Sequence, residues 1–456
     1  MPISPARAAA FDILLRVERE SSYASELLHS SAYENLSTPD HGLATELVMG
    51  VQRWRSRLDV EIARASAQPL AKLDLEILLA LRLALYQFRW LSRVPQRAAL
   101  HESVELVKRA RKRSAAPFVN AVLRKLSQTA AVPLCNSVFS VVSDSAQAMA
   151  ADHAHPHWLV ERWIAQFGLA AAQQICRYDQ SIPSTTIRLR TANVASELSQ
   201  QKIALAPGAF LSQARRVESG DVTKTQAFRA GQIVIQDEAS QLVAALVGRG
   251  LPSRARVLDC CAAPGGKTLA LADHNPEAAI TAVELHPHRA RLLCKLLKEN
   301  SSRLPARIQI VTADARHLPL KAMFDRVLVD VPCSGTGTLA RNPEIKWRLK
   351  LTDLADLHQR QLAILRSALA RVAPGGRLIY STCSLEEEEN EQVVEATLAA
   401  NRDFHLLPCS TELHRLKQEG ELVLADSASL TRGPYLRTIP GIHPCDGFFA
   451  AILERN

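Results

Sequence analysis

From Asp237 onward the sequence alternates strand-like and helix-like segments, and no other feature narrows the possible folds as far. Strands are predicted at 256–259, 280–284, 308–312, 326–330 and 377–380. Helices fall between them, including 286–299 and 353–371, the latter closed by Pro374-Gly375-Gly376. Such alternation builds a mostly parallel sheet covered on both faces by helices. Parallel sheets of this kind take their ligands beyond the carboxyl ends of the strands. The residues at those ends are therefore where chemistry is to be sought.

The first strand runs into Asp259-Cys260-Cys261-Ala262-Ala263-Pro264-Gly265-Gly266-Lys267-Thr268. Small residues let a loop backbone approach a ligand, and a following helix offers free N–H groups. The loop is neither GxGxxG nor GxxxxGK[ST], because Ala262 stands at the first glycine position of the latter. The next strand ends on Glu284, an acid able to accept from both hydroxyls of a ribose. The strand after it leads to Asp314, a carboxylate that could accept from an adenine amino group. Each acid alone is more often a solvated loop residue; together, at successive strand ends, they form a candidate nucleoside site.

The last two strands end on thiols. One leads into Asp330-Val331-Pro332-Cys333-Ser334-Gly335-Thr336-Gly337, the other into Ser381-Thr382-Cys383-Ser384. A buried cysteine is usually an inert small hydrophobe. Two at neighbouring strand ends, one before a helix start, suggest reactive thiols with lowered pKa. The run Glu386 to Glu389 is expected to serve mainly as negative charge at a helix N-terminus.

The front of the chain reads differently. Residues 1–130 show helical spacing, as in Leu75, Leu78, Leu79 and Leu83, or Leu43, Leu47 and Val51, with Pro39-Asp40 and Val94-Pro95 as punctuation. An all-helical domain is expected there, then a linker over 131–150, a small α+β domain over 151–236 and the alternating domain over 237–456. In the small domain a helix is expected at 197–204, and Arg188, Arg190, Arg215 and Arg216 are available to face nucleic acid. The net charge of +9 fits a polyanionic partner. The run Lys108 to Arg113 and the trio Arg53, Arg55 and Arg57 suit either phosphate contact or a solvated helix face. His153, His155 and His157 alternate without a third-ligand motif, so a structural role is expected and no metal site. Nine scattered cysteines without CxxC spacing suit a reduced cytoplasmic protein. No segment has the length of uncharged apolar sequence that a membrane span needs, and none near the start has a signal peptide's apolar core.

Residues 237–456 resemble the catalytic domain of the cytosine-C5 RNA methyltransferases of the Nop2/Sun type. The match is carried by Cys261 to Lys267, Asp330 to Gly337, Arg341-Asn342-Pro343-Glu344-Ile345-Lys346-Trp347-Arg348, Ser381 to Ser384 and Asp446-Gly447-Phe448-Phe449-Ala450-Ala451. The front helices, with Leu43 to Val48, Glu102 to Leu106 and Phe118 to Arg124, resemble a NusB-like RNA-binding domain. That combination is similar to the bacterial 16S rRNA cytosine-C5 methyltransferases. The resemblance implies a Rossmann-like α/β S-adenosylmethionine-dependent methyltransferase domain acting on 16S rRNA, with no membrane and no obligate protein partner. It implies that Cys261, Ala262, Ala263, Pro264, Gly265, Gly266 and Lys267 hold S-adenosylmethionine, with Glu284 at the ribose, where relatives often carry Asp, and Asp314 near the adenine. Cys383 would be the nucleophile and Cys333 would resolve the covalent intermediate, with Asp330 between methyl donor and base. A tRNA substrate, or a non-catalytic RNA-binding or assembly role, are the alternatives.

Overall fold

The computed structural model describes residues 3–20, 22–129, 146–191, 193–249, 251–299 and 307–456. Most of the expected linker, and Cys135 with it, lies outside the described residues. Contacts divide the chain into two units, Met1–Ile182 with Leu339–Leu349, and Pro183–Thr338 with Lys350–Asn456.

The described residues of the first unit hold helices and no strand. The longest, Thr38–Ser66, has Pro39 in its first turn, and Ser37 Oγ accepts from Asp40 N at 3.2 Å. Proline lacks only an N–H that a first turn leaves unbonded anyway, so Pro39-Asp40 opens this helix. Leu47, Val51, Leu58 and Ile62 face Leu79, Leu83 and Leu123 in one buried cluster. The motif at 341–348 belongs to this unit, although its sequence lies within the alternating region. Glu344 accepts from Ala24 N at 2.9 Å, Lys346 Nζ donates to Arg53 O at 3.1 Å and Trp347 Nε1 to Gln52 O at 2.7 Å. Arg53, buried, donates to Ala340 O at 3.1 Å, and Arg55 pairs with Glu18 at 2.8 Å. Neither arginine is therefore a free phosphate contact. His155 is buried, with Nε2 3.2 Å from Asp179 Oδ2, and His157 begins the helix His157–Phe167.

The second unit carries two sheets. The smaller comprises β1 (Thr186–Leu189), β2 (Ala204–Pro207), β3 (Ala214–Ser219) and β4 (Ile233–Ile235), in the order β2-β3-β1-β4. The helix expected at 197–204 is Val194–Gln200, and Ala204 already opens β2. Arg188 and Arg190 are not available to nucleic acid: both are bound to Asp273, at 2.7 and 2.6 Å.

The larger sheet holds β5 (Arg256–Asp259), β6 (Ala279–Glu284), β7 (Arg307–Thr312), β8 (Phe324–Asp330), β9 (Val372–Thr382), β10 (Phe404–Leu407), β11 (Thr431–Arg432), β12 (Tyr435–Thr438) and β13 (Phe448–Arg455). Strands β9, β8, β5, β6 and β7 are mutually parallel in that order, as the alternation predicts. The remaining pairings, β13 with β9, β12 and β10, and β11 with β12, are antiparallel. The sheet is thus half antiparallel by neighbouring pairs rather than mostly parallel. Of the added strands β10, β11 and β12 are short, and β13 finds its place by lying along β9 from Thr382–Phe449 to Arg377–Glu454, a pairing that no local periodicity announces.

Side chains alternate across the sheet with the two-residue period of a strand. Leu258, Val327, Val329, Leu378 and Tyr380 enter one core with Leu362, Leu365 and Leu369 of the helix Asp353–Leu369. Val257, Leu328 and Ile379 enter the other, with Leu242 and Val243 of Glu238–Leu246 and Leu413 of Cys409–Gln418. Strands buried on both faces cannot slip in register without exposing one core, which fixes where their carboxyl ends stop.

Candidate active site

The chain reverses its direction of strand addition at β5, with β8 on one side and β6 on the other. Ligands of open α/β sheets bind outside the carboxyl ends at such a point. Asp259, Glu284, Asp330 and Thr382 are the last residues of their strands.

On the β8–β9 side the two thiols meet. Cys333 Sγ lies 3.3 Å from Cys383 Sγ. Asp330 is paired in register with Ser381; its Oδ1 accepts from Ser381 Oγ at 2.8 Å and its Oδ2 from Lys267 Nζ at 2.8 Å. Lys267, expected to serve the cofactor loop, is thus tied to the carboxylate of the neighbouring motif. Burial pushes its pKa down, but the attraction of Asp330 prevails and raises it. Cys333 behaves against the expectation of an activated thiol: its hydrogen bond to Cys383 and its burial hold its pKa well above the ordinary value. No helix N-terminus offsets this, since Cys333 is followed by a loop and a single 3₁₀ turn, Thr336–Thr338.

The loop that carries Cys333 is held to the chain's far end. A Cβ at Gly337 would lie 2.2 Å from Gly447 O, while Gly447 N donates to Gly337 O at 2.7 Å and Gly337 N to Cys383 O at 2.9 Å. Only glycine permits this approach, which physically joins three of the motifs found in the sequence.

On the other side of β5, the loop Cys261 to Gly265 leads to the helix Gly266–His274. Gly265 has φ +116°, and a Cβ there would meet Leu293 Cδ1 at 2.6 Å. A Cβ at Gly266 would meet only the side chain of Gln236, at 3.6 Å. The helix has no side-chain cap, so its first N–H groups are open to a ligand. Asp259 is buried, accepts from Thr268 Oγ1 at 2.7 Å, and is raised to about 6 chiefly by burial. Glu284, also buried, uses one side-chain oxygen on His286 N at 3.0 Å, and its carboxylate makes no other hydrogen bond among the described residues. Asp314 is committed elsewhere: Arg316 donates to it from its backbone N, Nε and Nη2 at 2.7–3.1 Å and holds its pKa down. The cradle and the spare oxygen of Glu284 fit a nucleoside carrying an extended chain; Asp314 would need to leave Arg316 to contribute.

Sequence reasoning missed one acid of this region. Glu389, expected to be helix-terminal charge, is fully buried and accepts from Ser334 N at 2.8 Å, Gln361 Nε2 at 2.9 Å, Ser384 Oγ at 2.5 Å and Ser334 Oγ. The only sequence signal was its place within the motif-rich stretch after Cys383, and a run of four glutamates concealed that Glu386 and Glu389 are the two buried ones.

The fold is that of a Rossmann-like methyltransferase domain, preceded by an all-α NusB-like domain and a small α+β domain. Family models agree: 16S rRNA methyltransferase RsmB/F matches residues 251–454, the NusB family 4–128, and the Methyltr_RsmF/B-like ferredoxin-like domain 155–223. The chain is 34% identical to the probable ribosomal RNA small subunit methyltransferase B of Bacillus subtilis, over 99% of this chain and 98% of that protein. It is 31% identical to the protein of the same description in Synechocystis, over 99% of each. Among solved structures, a methyltransferase homolog protein from Pyrococcus horikoshii aligns with a TM-score of 0.56 at 24% identity, over 70% of this chain and 100% of that one. The chain belongs to the ribosomal RNA small subunit methyltransferase B family.

Proposed function

We propose that this protein methylates C5 of a cytidine in 16S rRNA, with S-adenosylmethionine as donor and Cys383 as a transient covalent nucleophile. The observation that carries the reading is the pair of thiols 3.3 Å apart at adjoining strand ends, one strand away from a loop suited to a nucleoside. Cytosine C5 is too weak a nucleophile to be alkylated unaided. Addition of the Cys383 thiolate to C6 breaks the C5–C6 double bond and moves its electron pair to C5. S-adenosylmethionine, when bound, supplies the electrophilic methyl group that the activated C5 takes; Cys261 to Lys267 and Glu284 would hold it, and Asp314 would join them only if it left Arg316.

The protein's own groups then end the reaction. The C5 proton leaves to solvent, its bonding pair restores the C5–C6 double bond, and the C6–S bond breaks with its pair returning to Cys383. Cys333, kept in its thiol form, can donate a hydrogen bond to the departing sulfur. Asp330, anchored by Lys267 and Ser381, is suited to accept a hydrogen bond from the base. The base must be unstacked to reach the strand ends. Bisulfite sequencing of total RNA from a strain lacking the gene tests the whole reading. Loss of one 5-methylcytosine from small-subunit rRNA is expected; loss from tRNA with an unchanged rRNA pattern would overturn the substrate.

A further inference from the structure

Cys333 and Cys383 are anchored unequally. Cys383 follows β9 directly, and that strand is laddered to β8 on one side and to β13 on the other. Beyond it, Ser384 N donates to Thr382 Oγ1 at 3.1 Å, Leu385 N to Thr336 Oγ1 at 2.9 Å and Asn390 Nδ2 to Ser384 O at 2.9 Å. Cys333 lies past the last residue of β8, where the ladder has ended. The residue after it, Ser334, is tied by both N and Oγ to the carboxylate of Glu389. The residue before it, Pro332, accepts from Gln361 Nε2 at 3.0 Å, and the same Nε2 donates to Glu389 at 2.9 Å. Glu389 also takes Ser384 Oγ, which lies 2.9 Å from Ser334 Oγ. One buried carboxylate with four neutral donors, and no cation among the described residues, thus clasps both sides of the Cys333 turn against the Cys383 turn.

We infer that Glu389 is a positioning residue for the release step, holding Cys333 against Cys383 when the covalent intermediate collapses. The inference rests on the two-cysteine reading above and extends it to a residue that touches neither RNA nor methyl donor. Its charge has a second effect, since a carboxylate beside Cys333 helps keep that thiol protonated.

The test uses the full chain and a 16S rRNA transcript, following the denaturant-stable protein–RNA adduct and the methylated product separately. Cys333→Ala is the reference: if it traps no adduct, the two-cysteine reading itself fails. With that control positive, Glu389→Ala should form adduct at a rate within threefold of wild type but resolve it at least tenfold more slowly, with little change in KM for RNA. Glu389→Gln should recover most of the release rate, because both serine hydroxyls can turn from donating to accepting. Its alkaline limb should move to lower pH, since the charge that holds Cys333 protonated is gone. Should Glu389→Ala not fold, Ser334→Ala removes one tie and should lengthen the adduct's lifetime severalfold. Release within twofold of wild type in the folded variant, or equal losses of adduct formation and release, would overturn the inference.

Discussion

The two sides of β5 present the same sheet edge in opposite states of completion. Toward β8 and β9, side chains satisfy one another: Asp330 with Lys267 and Ser381, Glu389 with Ser334, Ser384 and Gln361, thiol against thiol. Toward β6 and β7 the protein leaves capacity unspent, in the uncapped helix at Gly266 and the second oxygen of Glu284. A buried polar group without a partner is costly, so a region that leaves groups unpaired is suited to a ligand that pairs them. Under the proposed function, the covalent machinery is built in advance, while the donor site is finished by its occupant.

That contrast can be broken by substitutions on either side. The largest effect is expected at Cys383→Ala: turnover should fall by about a thousandfold or more, as when other covalent nucleophiles are removed, with S-adenosylmethionine affinity unchanged in calorimetry. Full methylation by this variant would sink the mechanism. Cys333→Ala should lower turnover by roughly a hundredfold and leave RNA covalently attached on denaturing gels. On the other side, Glu284→Ala should weaken S-adenosylmethionine binding by about tenfold, the scale of a lost charged hydrogen bond, without changing adduct chemistry once the donor saturates. Asp314→Ala, whose carboxylate is already spent on Arg316, should change donor affinity by less than about threefold. A larger loss would show that Arg316 releases it.

A further effect bears on stability rather than activity. Asp259 is raised from 3.8 to about 6 by burial. A carboxylate raised on folding favours the native state below its unfolded pKa and loses that contribution as pH rises through the folded value. Asp259→Asn should therefore match the wild-type unfolding free energy near pH 4 and exceed it by pH 7 or above, by up to about 3 kcal/mol. A difference independent of pH would contradict this.

What the sequence made legible was whatever has a local signature. Four of the five parallel strands were placed to within two residues because each is a short apolar run closed by a turn; the fifth, β9, begins five residues before 377 and takes in Pro374-Gly375-Gly376, expected to close the preceding helix. Both thiols could be assigned to adjoining strand ends for the same reason. Interactions between distant residues left no such trace. Arg188 and Arg190 looked like surface cations because nothing near them in sequence names Asp273 as their partner. Glu389 looked like helix-end charge because the four serine, glutamine and backbone donors around it come from 5 to 55 residues away. Antiparallel β13 was hidden because its pairing with β9 spans two intervening α-helices, Glu391–Ala400 and Cys409–Gln418, and three other strands.

The segment Leu339–Leu349 bears on how this architecture can be recombined. Because it is encoded inside the second unit but packs within the first, the peptide chain passes between the units three times rather than once. The helical front is then not a detachable cassette. An exchange of front halves between relatives would have to carry its own version of 339–349, or leave Ala24 N without the Glu344 carboxylate and Gln52 O without the Trp347 indole. Chimeras cut only once should be less soluble than those cut three times.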